Sequence, residues 1–132
     1  ALPCWDELVW LDLAATRVTD QGLTELAGAT RLQQLSLERT SIGDATVKRL
    51  TQAGRLQELD LSHTRISDVA LQTLGQLPNL TDVWLTGTAI TDRGLPALHR
   101  LRKLQTLEVS HTQVTEEGWK ALQDALPQLS RE

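Results

Sequence analysis

Residues 56–68 read Leu-Gln-Glu-Leu-Asp-Leu-Ser-His-Thr-Arg-Ile-Ser-Asp, and this pattern recurs every 24 residues from Leu8 towards the end of the chain. Each copy has an apolar residue at its first, fourth and sixth positions, Thr at the ninth and Val or Ile at the eleventh. The Leu-x-Leu alternation has a period of two, which is typical of a short strand with one buried face. The later positions have helical spacing, so each copy predicts a strand followed by a helix.

The copies follow one another without insertion. They occupy residues 8–31, 32–55, 56–79, 80–103 and approximately 104–127, in a repeat region of 8–125. One copy cannot bury both its strand and its helix, so neighbouring copies must stack around a continuous core. Strands about 4.8 Å apart stack more tightly than helices about 10 Å across. We therefore predict an α/β solenoid, a short right-handed βα horseshoe arc with a parallel sheet on its concave face and helices on its convex face.

Each end of the chain leaves two interpretations open. Residues 1–7 are either an N-terminal cap over the first strand or the remnant of an earlier repeat. Residues 126–132 echo the start of a repeat, one residue out of phase, and are either a C-terminal cap or a truncated sixth repeat. If they do not cover the last strand, its edge is open to extension by a partner.

Composition limits the classes of function. The net charge of -4 argues against nucleic acid, whose phosphates select a basic surface. No stretch approaches the roughly 18 consecutive apolar residues of a membrane span, so we expect no membrane insertion. Cys4 is the only cysteine, so no internal disulfide can form. No nucleophile with a base, metal cluster or phosphate-binding glycine loop is visible, so we expect no enzyme, cofactor or metal site.

Two polar columns have expected structural roles. Hydroxyl side chains precede the helices as N-caps, at Thr19, Ser67, Thr91 and Thr115. Acidic side chains follow them and oppose the helix dipole, at Asp20, Asp44, Asp68, Asp92 and Glu116. The Thr at the ninth position is expected to satisfy loop backbone groups of adjacent repeats.

Two stretches carry a family resemblance. Residues 16–23 read Thr-Arg-Val-Thr-Asp-Gln-Gly-Leu, and residues 88–95 read Thr-Ala-Ile-Thr-Asp-Arg-Gly-Leu. They resemble the bacterial leucine-rich repeats with the consensus Thr-x-Val-Thr-Asp-x-Gly-Leu. They are also similar to the cysteine-containing F-box-type repeats, with Thr in place of Cys and a shorter repeat than their roughly 26 residues.

The resemblance implies a protein that presents its strand face to a protein partner. Some bacterial members of the class occur in exported proteins beside cytochrome-type domains, which favours a periplasmic or extracellular location over the cytoplasm. This chain has no Cys-x-x-Cys-His haem site, so any haem would belong to a partner.

The outward strand positions are the third, fifth and seventh of each repeat. Six of these fifteen positions are acidic and none is basic, a bias that favours a basic partner. The expected partner-binding residues are Trp10, Asp12, Glu38, Glu58, Asp60, Asp82, Trp84 and Glu108.

Trp84 has the most specific surroundings, because Asp82 shares its strand and Asp60 and Glu108 lie on the flanking strands. This setting suits an Arg or Lys side chain through cation–π contact and charge pairing. Alternatively, Trp84 lies flat over its neighbours and shields the sheet. Trp10 either projects in the same way or packs beneath Trp5.

Glu58 and Asp82 occupy the same column on adjacent strands. Their carboxylates either approach closely enough to favour a bound cation or a shared proton, or turn apart as two solvated side chains. His63 and His111 lie two repeats apart, too far to ligate one metal together.

The sequence therefore predicts a protein–protein interaction module that binds a basic protein or peptide on an acidic concave face. The alternative is a structural accessory subunit of a larger bacterial assembly, such as an exported assembly related to electron transfer. Such a subunit would be held by its ends or by its helix side.

Overall fold

A computed structural model describes residues 4–130 of the chain, in which five short strands form one parallel sheet in the order of the sequence. Each strand pairs with the residues 24 positions further along, as Leu11 does with Leu35. The predicted α/β solenoid and the register of its strands are confirmed. The strands are β1 (Trp10–Asp12), β2 (Gln34–Ser36), β3 (Glu58–Asp60), β4 (Asp82–Trp84) and β5 (Thr106–Glu108).

The helical connections are short, and several are 3-10 helices rather than α-helices. A 24-residue repeat must return to the next strand within a few residues, and the tighter 3-10 turn suits such short segments. No helix within the described residues is both long and apolar enough to cross a membrane. The 3-10 helices are Trp5–Glu7, Gln21–Gly28, Arg49–Gln52 and Asp92–Arg100, and the α-helices are α1 (Asp44–Lys48), α2 (Asp68–Leu74) and α3 (Glu116–Ala125).

The apolar columns of all repeats meet in one continuous core. Leu59 in β3 and Leu61 just after it are fully buried between neighbouring repeats. Leu8, Leu13 and Val18, the matching column residues of the first repeat, pack against the core but remain partly exposed. An interior repeat is covered on both sides, whereas the first repeat is covered fully on one side only.

The Thr at the ninth position has a different partner from the one expected. Thr64 Oγ1 donates to the carbonyl of Leu61 at 2.6 Å, within its own repeat, and the Thr of the other repeats do the same. Main-chain groups make the contact between repeats instead, as when Arg39 N donates to Ser62 O at 2.9 Å. The Thr hydroxyl therefore stabilises the turn, and the backbone joins one turn to the next.

The C-terminal segment continues the sheet with a shifted spacing. Ser130 N donates to Gln105 O at 2.7 Å, and Leu107 N donates to Ser130 O at 3.2 Å. The equivalent bond one repeat earlier joins Gln105 to Thr81, so the last spacing is 25 residues rather than 24. Part of the β5 edge is thus covered. Residues 1–3 and 131–132, on which the two end interpretations also depend, lie outside the described residues.

Candidate protein-binding surface

The outward side chains of the sheet stand in rows across the strands. We call the side formed by the third, fifth and seventh positions of the repeats the strand face; its side chains are exposed or half-buried except for Ser62, which is buried. The register aligns Glu58 with Asp82 in the row of third positions, and Asp60 with Trp84 in the row of fifth positions. Glu108 follows Trp84 in the same row.

Three acidic side chains of the strand face also hold the turn that follows their own strand. Asp60 Oδ1 accepts from Ser62 N at 2.9 Å, and Asp12 and Glu108 accept in the same way from the N–H two residues ahead. Such local bonds to the backbone are common for short acidic side chains in turns. The second oxygen of each carboxylate makes no hydrogen bond within residues 4–130, so it is open to a partner.

Glu58 and Asp82 each have a separate hydrogen-bond partner. Gln34 Nε2 donates to Glu58 at 3.1 Å, and Thr81 Oγ1 donates to Asp82 at 2.9 Å. Among the residues that the structure describes, no group of three or more His, Cys, Asp or Glu side chains could hold a metal ion. The arrangement favours two separate carboxylates over a shared cation site.

Glu38 differs from the other acidic residues of the strand face. Its carboxylate lies 3.6 Å from the Arg39 guanidinium, and both side chains are exposed. An exposed pair of this kind contributes little to stability, but it lowers the net negative charge at this position. Glu38 therefore offers less charge to a partner than the other five acids.

A shallow groove of about 190 Å³ crosses the strand face between two indoles. Trp10 is 62% exposed at one side, so it is not packed beneath Trp5. Trp84 is half-buried at the other side. The groove brings together five of the predicted binding residues, namely Trp10, Asp12, Glu58, Asp60 and Trp84, whereas Glu38, Asp82 and Glu108 lie outside it.

Cationic side chains collect where the helices return to the strands. They are exposed, and none forms an ion pair with an acidic residue of the described chain. Lys103 Nζ donates instead to the side-chain oxygen of Asn79 at 2.8 Å. These cationic side chains therefore lie away from the strand face. The cationic residues are Arg31, Arg55, Arg100, Arg102 and Lys103.

A second set of carboxylates joins one repeat to the next, which sequence reasoning missed. Asp68 accepts from both the backbone N–H and the hydroxyl of Thr91, at 2.8 and 2.6 Å. Asp44 accepts in the same way from Ser67, and Asp92 from Thr115. The three hydroxyls also cap their helices as predicted. The aspartates, expected only to oppose the helix dipole, thus act between repeats.

The first junction uses a different hydroxyl. Gly43 has no side chain to offer Asp20, and Thr46, three residues later, donates both its N–H and its hydroxyl to that carboxylate. Asp20, not Thr19, is the N-cap residue of its helix. In later repeats the column of Thr46 holds Ala70, Gly94 and Gly118, and the missing side chains of the two glycines leave room for Asp68 and Asp92. The second repeat thus has Gly43 and Thr46 where the fourth has Thr91 and Gly94, an exchange of glycine and hydroxyl that is visible in the sequence. We call Asp20, Asp44, Asp68 and Asp92 the junction aspartates.

Hydrogen bonding keeps two junction aspartates ionised. At Asp20, burial opposes ionisation, but the hydrogen bonds from Thr46 and Gly43 and the charge of Arg49 outweigh it and lower the pKa of the carboxyl below 3.8. At Asp92, the side-chain and backbone hydrogen bonds from Thr115 lower the pKa.

The comparisons with known proteins agree with this architecture. A family model described as leucine rich repeat matches residues 54–114. No curated protein matches the chain. Internalin C2 of Listeria monocytogenes superposes with a TM-score of 0.76 and 26% identity, covering 95% of this chain and 52% of that one.

Two further solved structures share the fold at lower identity. An internalin, inlF, of Listeria monocytogenes has a TM-score of 0.64 and 18% identity, with 96% of this chain and 41% of that one covered. An LRR protein of Leptospira interrogans has a TM-score of 0.64 and 22% identity, with 95% and 37% covered. The chain thus spans about half of the internalin C2 structure and less of the other two. The matched family model, the in-register repeats and these structures together show that the chain has the leucine-rich-repeat fold.

Proposed function

We propose that this protein is a protein-binding module whose strand face docks a basic protein or peptide. The leucine-rich-repeat fold and the internalin-like structures support an interaction module. The observation that carries the basic character of the partner is the register, which places acidic side chains on the neighbouring strands β3, β4 and β5, and none of the paired strand residues is cationic. Like charges on adjacent strands repel, and a cationic partner relieves that repulsion.

The expected strength comes from several contacts together. A single exposed ion pair contributes about 0–1 kcal/mol, so charge alone gives a fast but weak association. Binding energy at interfaces is concentrated in a few aromatic and charged anchors, and Trp10 and Trp84 are the aromatic side chains of the strand face. We therefore expect binding that depends on the two indoles and weakens as salt is added.

The test is a titration with peptides of defined charge. A fluorescent peptide rich in Lys and Arg, and a peptide of equal length rich in Glu, are titrated with the native protein at low and high salt. The strand-face variant removes four charges and keeps the side-chain shapes, with Asp12→Asn, Glu58→Gln, Asp60→Asn and Asp82→Asn. The helix-side control removes four exposed charges elsewhere, with Glu7→Gln, Glu25→Gln, Glu117→Gln and Asp124→Asn.

We expect the native protein and the helix-side control to bind the basic peptide, and the strand-face variant to bind it at least about tenfold more weakly, or about 1.4 kcal/mol. If the two variants lose affinity equally, binding depends on the net charge of the protein and not on the strand face, which would contradict the proposal. A preference for the Glu-rich peptide would contradict the proposal outright.

The N-terminal end favours a second candidate, a structural subunit held by that end. Val9 and Trp10 are 47% and 62% exposed, and Leu13 beside them is only partly covered. The buried indole N–H of Trp5 has no hydrogen-bond partner within residues 4–130. Sedimentation of the native protein after gentle lysis tests this candidate, because a stable monomer would exclude it and a stoichiometric assembly would support it.

We also propose a periplasmic or extracellular location, supported by the likeness to the internalin structures. Fractionation of the source cells, followed by immunoblotting, tests it; recovery in the cytoplasmic fraction alone would contradict it. The proposal includes no catalytic step.

A further inference from the structure

We infer that the groove between Trp10 and Trp84 receives one arginine side chain of the partner, with its guanidinium between the carboxylates of Asp12 and Asp60. The inference rests on the proposed function and names the group that the site recognises. This inference is more specific than a preference for positive charge. It predicts that the groove binds arginine more tightly than lysine, and that the contact lies in this groove and not elsewhere on the strand face.

The row of fifth positions provides the opening. Ser36 stands between Asp12 and Asp60 in the sheet register, so a short side chain lies between two carboxylates. The two aspartates are two strand spacings apart, or about 10 Å along the row. The groove volume of about 190 Å³ is smaller than the roughly 300–1,000 Å³ of a typical small-molecule pocket. It fits one extended side chain better than a compact ligand.

The two carboxylates are held in place before a partner arrives. Asp12 Oδ1 accepts from Ala14 N, and Asp60 Oδ1 accepts from Ser62 N, each at 2.9 Å. Neither side chain can turn far into the groove without losing that bond. Oδ2 of each aspartate is left for the partner. Binding therefore does not have to order these side chains first.

The separation of the aspartates favours guanidinium over ammonium. Charge-assisted hydrogen bonds are about 2.7–2.9 Å long, so one ammonium nitrogen can join two oxygens that lie at most about 6 Å apart. A guanidinium presents five donors on a planar fork and reaches further in opposite directions. The fork can therefore donate to one aspartate and still extend towards the other, which a single ammonium nitrogen cannot do.

The indoles favour the same group. Trp84 is the register neighbour of Asp60, so its ring stands beside the carboxylate that the guanidinium would contact. Trp10 closes the opposite side of the groove and is largely exposed. A guanidinium stacks on an aromatic face while its edge donates hydrogen bonds, which an ammonium cannot do.

The test uses three short peptides that differ in one side chain. Acetyl-Gly-Arg-Gly-amide, its lysine analogue and its citrulline analogue are titrated into ¹⁵N-labelled protein. The indole N–H signals of Trp10 and Trp84, assigned with Trp10→Phe and Trp84→Phe, report occupancy of the groove. Citrulline keeps the shape of arginine and removes the charge, whereas lysine keeps the charge and removes the fork.

We expect the arginine peptide to shift both indole signals. The affinity for the lysine peptide should be at least about threefold lower, and the affinity for the citrulline peptide at least about tenfold lower. Asp60→Asn should weaken the arginine peptide at least about fivefold. Glu38→Gln is the matched control, because it removes one charge from the same face outside the groove, and it should change the affinity less than twofold.

Three results would overturn the inference. They are equal affinity for arginine and lysine, equal affinity for arginine and citrulline, and unmoved indole signals at the highest peptide concentration. Equal losses in Asp60→Asn and Glu38→Gln would also overturn it, because they would place the contact outside the groove. The proposed function fails separately, if the strand-face variant still binds the Lys- and Arg-rich peptide as the native protein does.

Discussion

The junction aspartates and the acidic residues of the strand face are the same kind of side chain repeated at the same interval, yet they have opposite surroundings. Asp68, at a junction, accepts two hydrogen bonds from the next repeat. Asp82, on the strand face, accepts from the side chain of its own chain neighbour Thr81. The first residue is part of what joins the repeats, whereas the charge of the second remains available to a partner.

The comparison shows that residue type and spacing do not assign a role to a repeated acid. At the junctions, two loops meet and leave backbone N–H groups that need an acceptor. A carboxylate there satisfies several donors at once. On the strand face, the backbone is already paired between strands, so a carboxylate is not needed to hold the sheet.

The largest effect on stability is expected where a side chain is added against a junction aspartate. Gly94→Ala adds a methyl group that would overlap Oδ1 of Asp68 and lie 2.7 Å from Cδ1 of Leu71. We expect a loss of about 1–3 kcal/mol in the free energy of unfolding, measured with urea.

Gly22→Ala is the matched control, because Gly22 occupies the same column and an added methyl group would meet nothing within 4 Å. This change should be neutral or should stabilise the protein by about 0.5–1 kcal/mol, since Gly is a poor helix former. If both substitutions have the same effect on stability, Gly94 is not required for close packing at the junction.

Removing one junction carboxylate should have a comparable or slightly smaller effect. Asp68→Ala leaves the N–H and the hydroxyl of Thr91 without their acceptor, which we expect to cost about 1–3 kcal/mol. Asp82→Ala on the strand face should cost about 0.5 kcal/mol or less. Urea unfolding of the two variants checks the difference; a larger loss for Asp82→Ala would reverse the roles assigned to the two sets.

Acid should weaken the junctions in a defined direction. The folded pKa values of Asp20 and Asp92 lie below 3.8, so the folded state binds fewer protons than the unfolded state as the pH falls. Their stabilisation is fully present above the unfolded pKa and is lost as the pH drops through the lower folded pKa. We expect the urea concentration at which half of the protein is unfolded to decrease as the pH is lowered below about 4. The decrease should be less steep in Asp92→Asn, which lacks one of these carboxyl groups. An unchanged midpoint at about pH 3 would contradict this account.

The smallest effect on stability is expected from the strand face itself. The fourfold strand-face variant keeps an oxygen at positions 12 and 60 to accept from Ala14 N and Ser62 N. It also removes repulsion between neighbouring strands, so its free energy of unfolding should stay within about 1 kcal/mol of the native value. A large loss of stability would mean that these acids hold the fold rather than bind a partner.

The strands and their register were predictable from the sequence, because the Leu-x-Leu alternation specifies one buried face and the 24-residue interval specifies which residues pair. The junction aspartates were not recognised, because a bond from Asp68 to Thr91 depends on how two loops meet in space. The exchange between Gly43 and Thr46 was visible in the sequence, but its meaning required the position of Asp20.

The groove was only partly predictable. The alternation placed Trp84 and Asp60 on the strand face, and the register then made them neighbours. The groove itself depends on the short side chain of Ser36 between larger ones, and on how far Trp10 projects from the first strand. These are features of the side chains in space, which periodicity does not describe.

The most direct test of the central claim, that the strand face is open for binding while the junctions hold the repeats together, is to map a basic peptide onto ¹⁵N-labelled protein by NMR. The account predicts that amide signals of β1 to β5 and the indole signals of Trp10 and Trp84 move, while those of α2 and the Asp92–Arg100 helix stay in place. Shifts concentrated on the helix side, with the strand signals unchanged, would contradict it.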